Sequence, residues 1–225
     1  MRVRSSVETK AENYASELIE HRWLSNKSFE ITLTKPKYFR YIPGQWIRLS
    51  HHGVERDYTL VSAPTDPYLA LCIRNIEHGI LSAGLSNAPV GARFNFSGPH
   101  GYFTYRPSTR LAVFVATGTG LAPFVSMARS GITGFVLLHG VNSTEDLYYA
   151  AVFKSAAKQY VPCISEADRS SGEYFQGRVS DYLQKILAPG LYDFYLCGRG
   201  EMIRDVTFLV DEKFSGSLIF TETFY

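Results

Sequence analysis

Hydrophobic and polar positions alternate in short runs over the first half of the chain and give way to continuous apolar runs in the second. Between about 16 and 103, the β-rich stretches are 30–34, 46–49, 58–61 and 69–73, with Pro43-Gly44, His52-Gly53, Ala63-Pro64 and Asp66-Pro67 between them. Short strands at roughly 8–12-residue spacing, punctuated by turn residues, predict a sandwich or small barrel. One helix, over 79–87, interrupts the pattern. Beyond Arg106-Pro107-Ser108 the texture changes. The run 111–115 (Leu-Ala-Val-Phe-Val) is apolar throughout, as expected of a parallel strand covered on both faces. Strands are predicted there and at 135–138, 161–164, 192–197 and 217–221. Helices are predicted from the glycine turn to about 130 and over 145–160, 179–187 and 201–214. This alternation predicts an open, doubly wound α/β sheet. The expected organisation is a first domain at 1–107 and a second at 108–225, with no internal repeat.

Composition narrows the class. Of 225 residues, 45% are hydrophobic and 20% charged, an ordinary globular mix that excludes disordered and fibrous architectures. A net charge of +2 is too balanced for a nucleic-acid partner. Cys72, Cys163 and Cys197 are scattered, too few for an iron–sulfur cluster and without zinc spacing. They read as reduced thiols of a cytoplasmic protein. No signal-peptide core and no membrane-spanning apolar run is present. His51-His52 reads as a solvated turn, so no metal site is expected. No nucleophile elbow appears either.

Four motifs are candidates for chemistry. Thr117-Gly118-Thr119-Gly120-Leu121-Ala122-Pro123 follows a buried strand directly, so its amides stand at a helix start where a pyrophosphate can bind. No Walker lysine follows, which excludes a P-loop NTPase. Arg56-Asp57-Tyr58-Thr59 offers a cation, a flat ring and a hydroxyl, the needs of a flavin dinucleotide. Gly79-Ile80-Leu81-Ser82 opens the first-half helix, as a cap or a second pyrophosphate site. Cys197-Gly198-Arg199-Gly200-Glu201-Met202 ends a strand at the edge where doubly wound sheets bind ligands.

Together these motifs resemble the ferredoxin–NADP⁺ reductase superfamily over almost the whole chain. The order runs Pro43-Gly44-Gln45, Arg56-x-Tyr58-Thr59, Gly79-x-x-Ser82 and Gly98-Pro99-x-Gly101-x-Phe103. It continues with Gly118-Thr119-Gly120-x-Ala122-Pro123, Asp146-Leu147-x-Tyr149, Cys197-Gly198 and Glu222-x-Phe224-Tyr225. The resemblance implies an antiparallel barrel holding FAD and an α/β domain taking NADH or NADPH. Arg56 would pair with the FAD pyrophosphate, Tyr58 would pack on the isoalloxazine, and Thr59 would bond near flavin N5. The backbone of Cys72, Ile73 and Arg74, with Gly79, Leu81 and Ser82, would complete the cradle. Pyridine nucleotide would lie along Thr117 to Gly120 and Pro123, at Ser165 and Glu166, and at Cys197, Gly198 and Met202. Hydride would pass from nicotinamide to flavin, with Thr59, Cys197, Glu222 and Phe224 around the reacting atoms; an aromatic, Phe224 or Tyr225, would cover the flavin. The cofactors carry that chemistry and the protein supplies alignment.

Three departures modify the expectation. Ser165-Glu166 stands where relatives preferring NADPH place Ser-Arg, so a carboxylate would repel a 2′-phosphate, although Arg169 and Arg178 lie near in sequence. Asn142 replaces another common arginine. No fused iron–sulfur signature is present, so a separate acceptor is implied: a ferredoxin, a flavodoxin or an oxygenase component. Lys35, Lys37, Arg40 and Arg48 crowd one stretch, either a solvated face or the dock for an acidic carrier. The alternatives are a reductase of free flavin and a dinucleotide-binding regulatory protein without turnover. A monomer is expected.

Overall fold

The computed structural model describes residues 12–51, 53–166 and 173–224. Strict alternation builds the first layer. In β3 (Trp46–His51), Ile47 and Leu49 are buried while Arg48 between them is exposed; in β6 (Arg93–His100), Phe94 and Phe96 are buried between exposed Arg93 and Asn95. Period-two burial of this kind curls a sheet around its apolar face. With β1 (Glu12–Trp23), β2 (Ser28–Thr34), β4 (Val54–Thr59) and β5 (Tyr68–Arg74), they form a six-stranded antiparallel sheet in the order β4-β3-β6-β1-β2-β5. A bridge between Leu60 and Leu71 brings its two ends together into a barrel. Helix α1 (Ile80–Ser86) buries Leu81 and Leu85 against the barrel core.

The second layer is a six-stranded parallel sheet. Its strands are β7 (Leu111–Thr117), β8 (Val136–Val141), β9 (Gln159–Ile164), β10 (Phe175–Gln176), β11 (Tyr192–Arg199) and β12 (Leu218–Phe224), in the order β10-β9-β8-β7-β11-β12. Its four helices are α2 (Ala122–Arg129), α3 (Ala150–Ala156), α4 (Val179–Lys185) and α5 (Gly200–Lys213). Strand β7 is central and covered on both sides. Phe114 stacks between Phe124 of α2 and Phe135, at centroid distances of 4.6 and 4.4 Å, while Val113 and Val115 face α4 and α5.

The two layers share a core. Val61, Ala70 and Cys72 from the barrel pack into the same cluster as Phe114, Phe124 and Met127. Ser126 Oγ donates to Ser62 O at 2.7 Å and Arg129 to Val61 O at 3.0 Å, so α2 is tied to the barrel by polar as well as apolar contacts.

Several predicted boundaries move. The helix expected over 145–160 is a single 3₁₀ turn at Thr144–Asp146 followed by α3, and β9 already begins at Gln159. Tyr149 takes a left-handed backbone (φ 60°), which breaks the helical run, and Lys158 N turns to bond Phe135 O. The strand expected at 58–61 is β4, ending at Thr59; its polar start is held by an Arg48–Asp57 ion pair across to β3, at 2.7 Å. The last strand is longer than expected and runs through Glu222 to Phe224. Strands β1, β6 and β10 lacked assigned ranges because their polar residues interrupt the apolar pattern. Among the described residues no helix is long and apolar enough to cross a membrane.

Candidate active site

The two glycine motifs of the second domain meet. A Cβ on Gly120 would lie 2.6 Å from Gly198 Cα, and one on Gly198, at φ +136°, would lie 2.9 Å from Thr117 O. Only glycine permits this approach. It packs the start of α2 against the end of β11, and Thr117 Oγ1 accepts the Arg199 amide at 3.2 Å. Gly118 (φ +55°) stands differently: nothing lies within 4 Å of where its Cβ would be. Its backbone is open to a ligand.

That opening is a cavity of about 380 Å³ at the carboxyl ends of the parallel strands, beside the switch in strand order. Thr117, Gly118, Thr119, Ser165, Glu166 and Met202 all line it. Gly120 and Pro123 are buried behind it, shaping the turn. Arg74, expected only as flavin-cradle backbone, also lines this cavity. Lys27, Arg178 and Arg199 line it as well. Lys27 was missed because it lies in the β1–β2 hairpin, far from any motif. Arg199 was legible only as the residue after Cys197-Gly198. Arg169 lies outside the described residues, as do His52 and Tyr225.

A second group gathers where the barrel meets the parallel sheet. Thr59 closes β4, Cys197 lies near the end of β11, and Glu222 is its direct partner in β12. Thr59 is buried, with its hydroxyl against the Glu222 carboxyl. Burial pushes the Glu222 pKa up to about 7, against the opposing pull of Thr59. Glu222 Oε2 is buried with no hydrogen-bond partner. Cys197 is fully buried, and burial together with the Glu222 charge raises its thiol pKa well above the ordinary value. It is a neutral thiol, not a nucleophile. Phe224 is half-buried and packs against the shared core.

The predicted flavin-side residues divide. Arg56 is exposed, and its guanidinium donates to the Glu55 carbonyl. Tyr58 is half-buried, and burial pushes its phenol up to about 12. Ser82 Oγ accepts the Ile76 amide at 3.2 Å, closing the loop in front of α1, and a Cβ on Gly79 would lie 2.6 Å from that oxygen. Ile73 points into the barrel core, and Cys72 into the shared core. The basic stretch is partly engaged within the barrel. Lys35 Nζ donates to Pro64 O and Asp66 O, and Arg48 is committed to Asp57. Among the described residues no group of three His, Cys, Asp or Glu side chains stands where it could hold a metal.

An antiparallel barrel joined to a parallel sheet, with an open glycine turn at the sheet's switch point, makes a two-domain architecture whose cavity suits a dinucleotide. The residues fit flavin and pyridine nucleotide: Gly118 leaves an open cradle, and Glu222 Oε2 lacks a partner beside Thr59. Comparison with known proteins agrees. Residues 16–105 match an oxidoreductase FAD-binding domain and 114–207 an oxidoreductase NAD-binding domain. Ferredoxin–NADP reductase B of Sorangium cellulosum is 32% identical over 218 residues, 86% of this chain and 89% of that protein. The chain belongs to the ferredoxin–NADP⁺ reductase superfamily. The 2-halobenzoate 1,2-dioxygenase electron transfer component of Burkholderia cepacia is 28% identical over 89% of this chain. The chain spans 63% of that relative's length, and the same share of the toluate 1,2-dioxygenase component of Pseudomonas putida. In fold, a ferredoxin NADP⁺ reductase from Neisseria gonorrhoeae with bound FAD and NADP superposes with a TM-score of 0.82, over 96% of this chain and 100% of that one, at 22% identity.

Proposed function

We propose that the chain is an FAD-dependent reductase that oxidises NADH or NADPH and passes electrons to a separate carrier: a ferredoxin, a flavodoxin or an oxygenase component. The observation that carries this reading is the convergence of Thr59 from the barrel with Cys197 and Glu222 from the parallel sheet, next to an open nucleotide cavity. We assign 1–107 to the FAD-binding unit and 108–225 to the NAD(P)-binding unit. The relatives whose names specify electron transfer components of dioxygenases support the separate carrier. Three unpaired, buried thiols suit a reducing, cytoplasmic setting, and we assign a monomer.

When bound, FAD supplies the acceptor for the nicotinamide hydride and the means to release electrons singly. The chain's own residues bind and orient. Arg56 holds a phosphate charge from the barrel surface, Tyr58 supplies a flat apolar face, and the backbone of Cys72 to Arg74 with Gly79, Leu81 and Ser82 forms the cradle. The open Gly118 amide and those of Thr119 and Gly120 hold the second pyrophosphate, while Pro123 fixes the start of α2. Ser165 and Glu166 face the adenosine end, and Gly198 and Met202 the nicotinamide end. Glu222, its pKa raised to about 7 by burial, can hold or release a proton near neutral pH opposite Cys197. Phe224 would supply an aromatic face to the bound flavin from the rim of the shared core.

The test is direct. Purified protein is expected to be yellow, to carry FAD near one per chain, and to bleach anaerobically with NADH or NADPH. A colourless protein without flavin affinity on titration ends the reading. Rapid release of FAD with turnover of added free flavin supports a flavin reductase instead, and bound nucleotides without turnover support a regulatory protein.

A further inference from the structure

One wall of the nucleotide cavity is the loop that follows β8, which brings Asn142, Asp146 and Tyr148 to its lining. This loop ends at Tyr149, one of two non-glycine residues among those described with a left-handed backbone. Such a conformation persists only where the surroundings over-determine it. Here they do, and they belong to the other domain. The Tyr149 hydroxyl donates to Glu30 Oε2 on β2 at 2.5 Å. Glu30 is only 9% exposed; Arg22 of the barrel meets its other oxygen at 3.0 Å, and Arg129 of α2 stands 3.9 Å from Oε2 while lying over the Tyr149 ring. The preceding residue, Tyr148, places its hydroxyl against Ser28, two positions earlier on the same strand. The left-handed turn at Tyr149 is what lets two consecutive tyrosines both face the barrel.

We propose that the Tyr149–Glu30 bond is an interdomain latch that holds the 142–149 wall in the shape that binds pyridine nucleotide, making Tyr149 a positioning residue for that ligand. The inference rests on the reading that this cavity takes NADH or NADPH. A hydroxyl on a buried carboxylate is a strong, oriented bond; it ties Tyr149 to β2, and the Cys72 thiol of β5 also stands against the phenol. Without it the wall spends part of its time displaced, and apparent affinity falls by the fraction of competent molecules.

The experiment uses FAD-loaded protein and the variant Tyr149→Phe, which removes one oxygen from a buried ring. Kd and KM for the nucleotide are expected to rise roughly fivefold, with kcat and flavin content within about twofold of wild type. Amide exchange across 142–149 is expected to quicken in the nucleotide-free protein. Glu30→Gln keeps an acceptor for the phenol and is expected to retain nucleotide affinity. An unchanged Kd in Tyr149→Phe overturns the latch whether or not exchange quickens. So does a Glu30→Gln loss as large as that of Tyr149→Phe, since charge and not the phenol bond would then hold the wall. If wild-type protein binds neither nucleotide, the functional reading fails by itself, and unchanged exchange in Tyr149→Phe still overturns the latch.

Discussion

Cys197 stands directly opposite Glu222 in the parallel pairing of β11 with β12, and the Glu222 carboxyl reaches from there to the Thr59 hydroxyl of the barrel. Thr59, more than a hundred residues earlier in the chain, thus meets Cys197 and Glu222 around one carboxyl. Its burial, with one oxygen unpartnered, raises its pKa to about 7, so the protonated and ionised forms are comparably populated near neutrality.

The first prediction follows from that proton. Glu222 ionises near 4.5 when unfolded and at about 7 in the folded protein. The unfolded chain therefore loses this proton first, and Glu222 lowers stability progressively as pH rises from about 4.5 to about 7. The full effect is at most about 3 kcal/mol. Glu222→Gln cannot ionise. Its melting temperature should match wild type near pH 5 and exceed it near pH 8, by roughly 5 °C. Equal differences at both pH values would mean that the carboxyl is solvated.

Arg56→Ala tests the flavin cradle. The side chain is exposed and donates to its neighbour's carbonyl, so its removal should leave the melting of flavin-free protein little changed. Losing a charge-assisted phosphate contact should weaken FAD by about 1.5–3 kcal/mol, roughly tenfold to a hundredfold on titration. Unaltered FAD affinity would place the pyrophosphate elsewhere.

Much of this architecture was legible in the sequence because its signals are local. The apolar run at 111–115 demands cover on both faces, and β7 has it from Phe124 and Phe135 on one side and α4 and α5 on the other. Gly118 and Gly120 follow that strand at once, so the cavity mouth was readable too. What depended on tertiary contact was not. Lys27 and Arg74 reach the cavity because the barrel packs onto α2 through Val61, Ala70 and Cys72, a contact that no spacing reveals. The helix over 145–160 failed for the same reason: Glu30, far back in the chain, holds Tyr149 in a left-handed turn that local propensity opposes. Lys35 looked free in the sequence, yet two loop carbonyls of the distant 64–66 turn engage its ammonium.

Glu166→Arg tests nucleotide choice. Glu166 and Arg178 both line the cavity, so a phosphate entering there would meet acidic as well as basic side chains. Reversing Glu166 should raise the NADPH-to-NADH ratio of kcat/KM by roughly tenfold, the size of one favourable charge contact. An unchanged ratio would show that this carboxylate does not reach the ribose, and the preference would then rest with Arg178 or elsewhere.

Phe224→Ala separates two roles for the aromatic near the end of β12. A fully buried phenylalanine truncated to alanine costs about 3–5 kcal/mol through lost contacts and a residual cavity. Phe224 is only half-buried, packed on the rim of the shared core two residues after Glu222 on β12. Its truncation should therefore cost about 1–2 kcal/mol, and the protein should melt cooperatively with its FAD retained. A ring that covers the flavin face must also leave it when nicotinamide arrives, so it competes with the nucleotide for one surface. Removing it should tighten oxidised pyridine nucleotide, measured by titration, and alter the hydride-transfer phase in stopped-flow reduction. A large drop in melting temperature with unaltered kinetics in the surviving protein would make Phe224 a core residue. Small effects on both would leave the ring facing solvent, and the covering role would then pass to another side chain.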